Sequence, residues 1–270
     1  MNRRILAVAL VALGCRSFNY ESQLGPRYAS VEPPPPVPLA APLVTDTVRL
    51  VTFNIQYAIH VDRAITLLRS SPELRTADIV TLQEMDAPGV QAIAESLAMS
   101  YVYYPATIER QTHRDFGNAI LSRWPIVADQ KILLPHLARF ERTRRIATAA
   151  TVAVRGVPLR VYSVHLGTRF EIGPGSRRDQ VRTILADAAT YPRVVISGDM
   201  NSHGIGRLVR AAGFAWPTER NPHTRWIFNW DHIFTKGLTP GPPPASGVVR
   251  DTLHASDHRP VWALALIAAR

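Results

Sequence analysis

Six apolar runs of this chain end in polar residues that can do chemistry. They are Asn54 in Thr-Phe-Asn-Ile, Glu84 in Leu-Gln-Glu, His165 in Ser-Val-His-Leu, Asp199 and Asn201 in Gly-Asp-Met-Asn, Asp231 in Trp-Asp-His-Ile-Phe, and Asp257-His258 in Ser-Asp-His-Arg-Pro. Any one of them alone is read as a turn former. Together they supply carboxylates, carboxamides and imidazoles, the groups of metal ligation and proton transfer. In an extended segment, side chains two apart point the same way, so Asp199 and Asn201 are expected to face one pocket while Met200 faces the core. Gly198 permits a close approach there. An anionic acceptor beside a neutral amide suits a site that orients a water and donates a hydrogen bond to a phosphoryl oxygen, although Gly-Asp-x-Asn reads equally as an Asx turn. Asp257 and His258 can reach a common site from a strand-entry turn. An imidazole moves protons near neutrality, and a carboxylate on its other nitrogen fixes the tautomer. Asp231 is the candidate for that carboxylate. Glu84 is then left as a hard oxygen ligand for a divalent cation, since Mg²⁺ takes one or two carboxylates and keeps waters that a phosphate can displace.

The elements that must hold these residues follow from the patterning. Val48–Ile55, Ala77–Leu82 and Arg193–Ser197 are β-rich apolar runs expected as buried strands. His60–Arg69, Pro88–Met99 and Arg177–Ala189 carry apolar residues at helical spacing. Gly117–Ser122, Ile126–Leu133, Ala147–Val154, Leu159–His165, Asp231–Thr235 and Val261–Ile267 read as strands, with Arg155-Gly156-Val157-Pro158 as a hairpin turn. Strands in the middle with strand-helix units on either side predict an α/β architecture of two packed mixed sheets flanked by helices.

At these residues the chain resembles the endonuclease/exonuclease/phosphatase superfamily, whose fold is deoxyribonuclease I-like. The resemblance runs in order from about Val48 to about Leu266. It is carried by Thr52-Phe53-Asn54-Ile55, Leu82-Gln83-Glu84, Gly117-Asn118-Ala119-Ile120-Leu121-Ser122-Arg123, His165-Leu166, Gly198-Asp199-Met200-Asn201, Asp231-His232-Ile233-Phe234 and Ser256-Asp257-His258-Arg259-Pro260-Val261. The resemblance implies a four-layer α/β sandwich. It also implies that Glu84 ligates a metal, Mg²⁺ first with Mn²⁺ or Ca²⁺ as options, with Asn54 and Asp257 close to it. Asp199 and Asn201 would position the attacking water and the phosphate. His258, oriented by Asp231, would be the general base or phosphate-contacting imidazole, and His165 the acid on the leaving-group side. Which of Asp199 and His258 takes the proton stays open. Met200 departs from the usual bulkier apolar residue, and His165-Leu166 sets the chain apart from the abasic-site endonucleases.

The 270 residues carry 31 Lys+Arg against 21 Asp+Glu, a formal net charge of +10, and one cysteine. One cysteine excludes a disulfide framework and a thiolate metal site, so any metal is held by oxygen and imidazole. Excess positive charge suggests an anionic partner. Residues 1–14 read as a lipoprotein-like signal peptide: Arg3 and Arg4, an apolar run from Ile5 to Leu13, and Gly14 before Cys15, the candidate lipidation site. Residues 15–47, with Pro33 to Pro36, Pro38 and Pro42, are expected to be an extended spacer ahead of a catalytic domain over 48–270. The expected product is an exported monomer, anchored to the cell envelope by lipid or else secreted.

The expected function is divalent-metal-dependent phosphoester hydrolysis. A nuclease is favoured because Asn118, Arg123, Arg114, Arg144 and Arg145 are candidates to bind substrate phosphates. An envelope phospholipid or small-phosphoester hydrolase is the alternative, and a non-catalytic binding lipoprotein the further one. Trp226 and Trp230 are expected in the core rather than as a stacking platform.

Overall fold

The computed structural model describes residues 18–30 and 47–267. The leader, Cys15 and the proline run lie outside the described residues. In chain order the elements begin with β1 (Tyr28–Ala29), β2 (Thr47–Asn54), α1 (Val61–Ser70), β3 (Ile79–Met85), α2 (Ala87–Leu97), β4 (Ser100–Ile108) and β5 (Asp115–Ser122). They continue with β6 (Ile126–Leu133), β7 (Ile146–Val154), β8 (Val157–His165), α3 (Pro174–Ala188), β9 (Val194–Asp199), α4 (Ile205–Ala211) and β10 (Asp231–Lys236). The chain closes on β11 (Thr239–Pro240), β12 (Ser246–Val248) and β13 (Val261–Leu266).

Two mixed sheets result. The first runs β1-β4-β5-β3-β2-β13-β11, with β12 also on β13; the second runs β10-β9-β8-β7-β6. The parallel pairs β2/β3 and β8/β9 sit at the middle of their sheets. Each is bridged by a helix, α1 or α3, on the outer face. Phe53, Leu82 and Leu121 pack outward against α1 and α2, whereas Leu50, Ile79 and Ile120 face inward toward Val161, Val195 and Ile233 of the second sheet. Tyr162, Val164, Ile196 and Phe234 face α3 and α4. The period of two therefore sorts every central strand into a helix side and an inter-sheet side.

That sorting explains why the site forms where it does. The inward positions of β8 are Val161, Ser163 and His165, and those of β9 are Val195, Ser197 and Asp199. Each series starts apolar and becomes polar toward one end of the sandwich. Thr81 and Ser197 share a hydrogen bond at 2.9 Å, and Gln83 Nε2 donates to Ser163 Oγ at 3.0 Å. These buried bridges tie the two sheets together and satisfy the polar groups that lead to the site.

The sequence-derived elements agree with the structure in type, with differences at the ends. β4 was not foreseen, because Pro105 interrupts its run. The proline falls where the β4/β5 register shifts between Pro105 and Thr107, so no ladder amide is needed from it. The hairpin between β7 and β8 turns on Arg155 and Gly156 alone, both at positive φ.

The spacer reading needs correction at its start. Residues 18–30 are bound to the domain: β1 pairs with β4, Tyr20 N donates to Ala106 O, and Tyr20 Oη donates to Asp115 Oδ1. Arg27 forms an ion pair with Asp129, and Asn19 bonds both Arg142 O and Arg144 N. Tyrosines and an arginine with specific partners dock this segment on an edge strand, which composition alone does not reveal.

Candidate active site

His165 ends β8, Asp199 ends β9 and Asp231 begins β10. Strand register places His165 beside Asp199 and Asp199 beside Asp231, so the three side chains form one row on the inter-sheet face. Gly198 makes this possible: a Cβ there would lie 1.9 Å from Val164 O of the neighbouring strand, at a φ of +140°. Across the gap, Asn54 ends β2 on its inward side. Glu84 reaches the rim through a bulge: the β3/β5 register shifts between Leu82 and Met85, and Glu84 takes a φ of +58°. Without that extra residue Glu84 would point into the helix side of the sheet, where Met85 packs instead.

His258 comes from the turn before β13, and Ser256 fastens that turn. Its Oγ donates to Asn54 O at 2.7 Å and accepts from His258 N at 3.0 Å. His258 Nδ1 then donates to Asp231 Oδ2 at 2.8 Å, and its Nε2 faces Asp199 Oδ2 at 3.7 Å without a hydrogen-bond partner. Asp199 Oδ1 accepts from Asn201 N at 2.8 Å, while Asn201 Nδ2 donates to Leu166 O. The Asx turn and the site residue are thus the same Gly-Asp-x-Asn segment. Asn201 leaves the strand at a φ of +48° yet still lines the cavity.

The electrostatics separate the two histidines. Burial disfavours the His258 imidazolium, but Asp231 and Asp199 outweigh burial and raise its pKa to about 9. Burial, then Asp231, pushes Asp199 up to about 7. His165 is held well below its ordinary value by burial and by the guanidinium of Arg145. Arg145 Nη1 lies 2.9 Å from His165 Nδ1, and its Nη2 is held by both carboxylate oxygens of Glu171 at 2.9 Å. Nη1 also lies 3.3 Å from His165 Nε2, which in turn stands 3.5 Å from Asp199 Oδ2, so the guanidinium sits against both ring nitrogens and its charge keeps the imidazole neutral.

These groups open into a cavity of about 340 Å³ lined by Glu84, His165, Asp199, Asn201, Arg145 and Asp257, with Tyr57, Phe116, Phe140, Phe170, Glu171 and Arg225 around them. His258 and Asp231 stand behind Asp199. Asp257 forms an ion pair with Arg225 and receives its own amide anchor through Gln56 Oε1.

The structure revises several expectations. Asn54 presents its amide nitrogen, not an oxygen, to Glu84 Oε1 at 3.0 Å and Asp199 Oδ2 at 3.3 Å, while its Oδ1 accepts from Gln56 N. In this arrangement it bridges the two carboxylates. Asn118 is buried between the sheets, its Nδ2 donating to Ile146 O and its backbone O accepting from Thr148 Oγ1. Arg123 lies at the opposite end of β5 and donates to Ala77 O. Arg114 bonds Tyr57 O and Asp86, and Arg144 bonds Leu134 O and Glu21. Of the expected substrate-binding residues, only Arg145 lines the cavity. Trp226 is 71 % exposed and so is not core, while Trp230 stacks on Phe228 at 4.7 Å.

The donor set suits a hard divalent cation. Glu84 is partly buried, desolvation raises its pKa, and among the described residues its hydrogen bonds come from Asn54 Nδ2 and Tyr57 N, so no cationic side chain hydrogen-bonds it. Glu84 would be the principal holder, with Asp257 and Asp199 oxygens available. Among the described residues, the tightest group of three possible ligands is Asp199, Asp231 and His258, with ligand atoms within 4.8 Å of one another. Asp231 and His258 are already hydrogen-bonded to each other. We therefore favour Glu84 for the cation.

Sequence reasoning missed Glu171, Tyr57, Phe140, Phe170 and Arg225. One signal was available: Arg139-Phe140, Arg169-Phe170 and Arg225-Trp226 repeat an arginine-aromatic pair in three loops that meet at the cavity mouth.

Comparison with known proteins gives a consistent picture. The model of the Endonuclease/Exonuclease/phosphatase family matches residues 51–258. No curated protein matches the sequence. Humanized TDP2 of D. rerio superposes with a TM-score of 0.64 at 18% identity, covering 82% of this chain and 99% of that one. An endonuclease/exonuclease/phosphatase of Beutenbergia cavernae gives 0.64 at 20% identity over 83% of this chain and 72% of that one. The human Nocturnin catalytic domain with bound sulfate gives 0.61 at 18% identity over 82% and 94%. At these identities the likeness is one of fold.

Proposed function

The chain belongs to the endonuclease/exonuclease/phosphatase family, whose members hydrolyse phosphoester bonds, and from that premise we propose that it is a divalent-metal-dependent phosphodiesterase. The observation that carries the proposal is the in-register row His165, Asp199 and Asp231 closed by His258, whose free Nε2 points at Asp199 from behind. Asp199 is the proton acceptor for the attacking water: its pKa sits near neutrality, and Asn54 Nδ2 and Asn201 N fix its two oxygens. His258, kept protonated by Asp231, turns Nε2–H toward Asp199 Oδ2 at 3.7 Å and supplies positive charge behind that carboxylate. His165, held neutral beside Arg145, supplies hydrogen bonding on the leaving-group side. Arg145, buried and braced by Glu171, adds fixed positive charge. A bound divalent cation at Glu84 would neutralise charge on the phosphoryl oxygens.

The cavity admits one phosphodiester and its nearest substituents. With Arg114, Arg123 and Arg144 engaged elsewhere, the support for a long nucleic-acid track is weaker than the arginine-rich sequence suggested. Hydrolysis of bis(p-nitrophenyl) phosphate, plasmid DNA, RNA and a phospholipid, each with and without Mg²⁺ or Mn²⁺, tests the proposal. Metal-independent hydrolysis, or none of any diester, sinks it.

We also propose export and lipid anchoring at Cys15, supported by the leader's basic start, short apolar run and Gly14-Cys15 junction. A mass increase on the mature N-terminus that Cys15→Ser abolishes is the expected result.

A further inference from the structure

The mouth of the cavity is ringed by large apolar side chains that the fold leaves in solvent. Phe140 is 85 % exposed and Phe170 is 72 % exposed, and both line the opening. Beside them, Arg225 and Phe228 exchange two backbone hydrogen bonds, with Phe228 N donating at 2.7 Å and Arg225 N donating at 3.0 Å. This closes a tight hairpin with Trp226 (71 % exposed) and Ile227 (72 % exposed) at its tip. Ile227 and Phe228 line the adjoining depression together with Arg169, which stacks over both Phe170 and Phe228. The rim is therefore continuous from Phe140 through Phe170 to the hairpin.

Two features of this tip run against folding stability. Trp226 has a φ of +48°, a conformation that costs a bulky residue about 1–2 kcal/mol and that glycine or asparagine ordinarily fills in a turn. A tryptophan and an isoleucine together at a solvent-exposed tip also leave unburied an apolar surface that a core would use. Such costs mark a surface made to be covered. Arg139 and Arg169 directly precede Phe140 and Phe170 in sequence; they and Arg142 are exposed, and none of the three forms an ion pair among the described residues, whereas Arg225 is held by Asp257.

We infer that this rim docks on a lipid bilayer bearing anionic headgroups and seats the mouth of the cavity against it. Aliphatic Ile227 has no π-face for a base to stack on, and the projecting tip suits entry into the acyl boundary. The unpaired guanidiniums then lie among the phosphates, their stems along the apolar side chains. The net charge of +10 on the full chain draws it toward such a surface. Docking goes beyond the phosphodiesterase proposal and rests on separate residues; combined with it, docking favours a phosphodiester presented at a membrane.

The test uses the full chain with Cys15→Ser throughout, so that no acyl chain contributes, and vesicles of equal parts phosphatidylglycerol and phosphatidylcholine with brominated acyl chains. Bromine quenches only tryptophans that reach the acyl region. We expect marked quenching, lost in Trp226→Phe although that variant still sediments with vesicles. In the pair Trp226→Ser/Ile227→Ser we expect quenching to vanish and vesicle partitioning to fall about tenfold or more. This pair should keep its circular dichroism and its turnover of soluble bis(p-nitrophenyl) phosphate, because neither residue lines the catalytic cavity. No quenching in the parent, or quenching that Trp226→Phe leaves in place, overturns the inference. So does a single-stranded oligonucleotide complex that the pair abolishes without any vesicle quenching, which would make the rim a nucleic-acid platform. If quenching behaves as expected while no diester is cleaved, docking stands and the hydrolase proposal falls.

Discussion

Arg145 Nη1 stands 2.9 Å from Nδ1 and 3.3 Å from Nε2 of His165, so a fixed positive charge lies against the imidazole and disfavours its protonation. Glu171, bidentate on the other arm of Arg145, holds the guanidinium in that position. Glu171→Gln should lower kcat about 10-fold and Arg145→Lys about 100-fold, since a lysine point charge reproduces neither the fork nor its direction. Steady-state kinetics on a soluble diester check both. Unchanged kcat in Arg145→Lys would remove Arg145 from the site.

The pH profile should be bell-shaped. Asp199 acts unprotonated, so activity falls as pH drops through about 7; His258 acts protonated, so activity falls as pH rises through about 9. Asp231→Asn takes away the carboxylate that contributes most to raising the His258 pKa. Its alkaline limb should move to lower pH, with kcat at neutrality down about 10²–10⁴-fold. An alkaline limb that does not move would contradict the role given to Asp231.

Glu84→Gln should abolish the response to divalent ions. The parent is expected to gain thermal stability as Mg²⁺ or Mn²⁺ is added, by mass action on the folded state. In Glu84→Gln that gain should largely disappear, read by calorimetric titration and melting temperature without reference to turnover. An undiminished gain would place the cation elsewhere, with Asp199, Asp231 and His258 the next candidates.

His232 should control acid stability. Trp216 Nε1 donates to its Nδ1 at 3.2 Å, and its Nε2 donates to Asn229 O, so the buried ring is neutral on both sides. Burial lowers its pKa to about 4 from an ordinary 6.5. Below 6.5 the unfolded chain takes up a proton that the folded chain refuses until about 4, so stability falls with falling pH across that window. About 2.5 pH units at about 1.4 kcal/mol each give roughly 3 kcal/mol. Urea unfolding between pH 7 and pH 4 should show this slope, and His232→Gln, which can accept from Trp216 and donate to Asn229 without titrating, should flatten it.

Much of this molecule was legible before its structure. The apolar runs of β2, β8 and β9 announce buried strands, and their polar endings name His165, Asp199 and Asn54, because a period of two and a change from apolar to polar are local properties. Asp231 and His258 were readable as a carboxylate-imidazole pair from residue chemistry, and their hydrogen bond is 2.8 Å. The arginines were misjudged. Composition counts charges but does not say which guanidinium meets a carbonyl at a loop end, as Arg123 does, and which is turned inward over a histidine, as Arg145 is.

The sequence by itself determined the alternation that puts one face of each strand toward the partner sheet, and with it the identity of the polar residues where that layer meets solvent. Only the tertiary structure decided their relations: the register that sets Asp199 between His165 and Asp231, the bulge that turns Glu84 out of the helix side, and the docking of residues 18–30 on β4. The physical reason is range. Side-chain direction follows from neighbours along the chain, whereas register, bulges and the exposure of Trp226 and Ile227 depend on contacts between segments far apart in sequence, which no local pattern encodes.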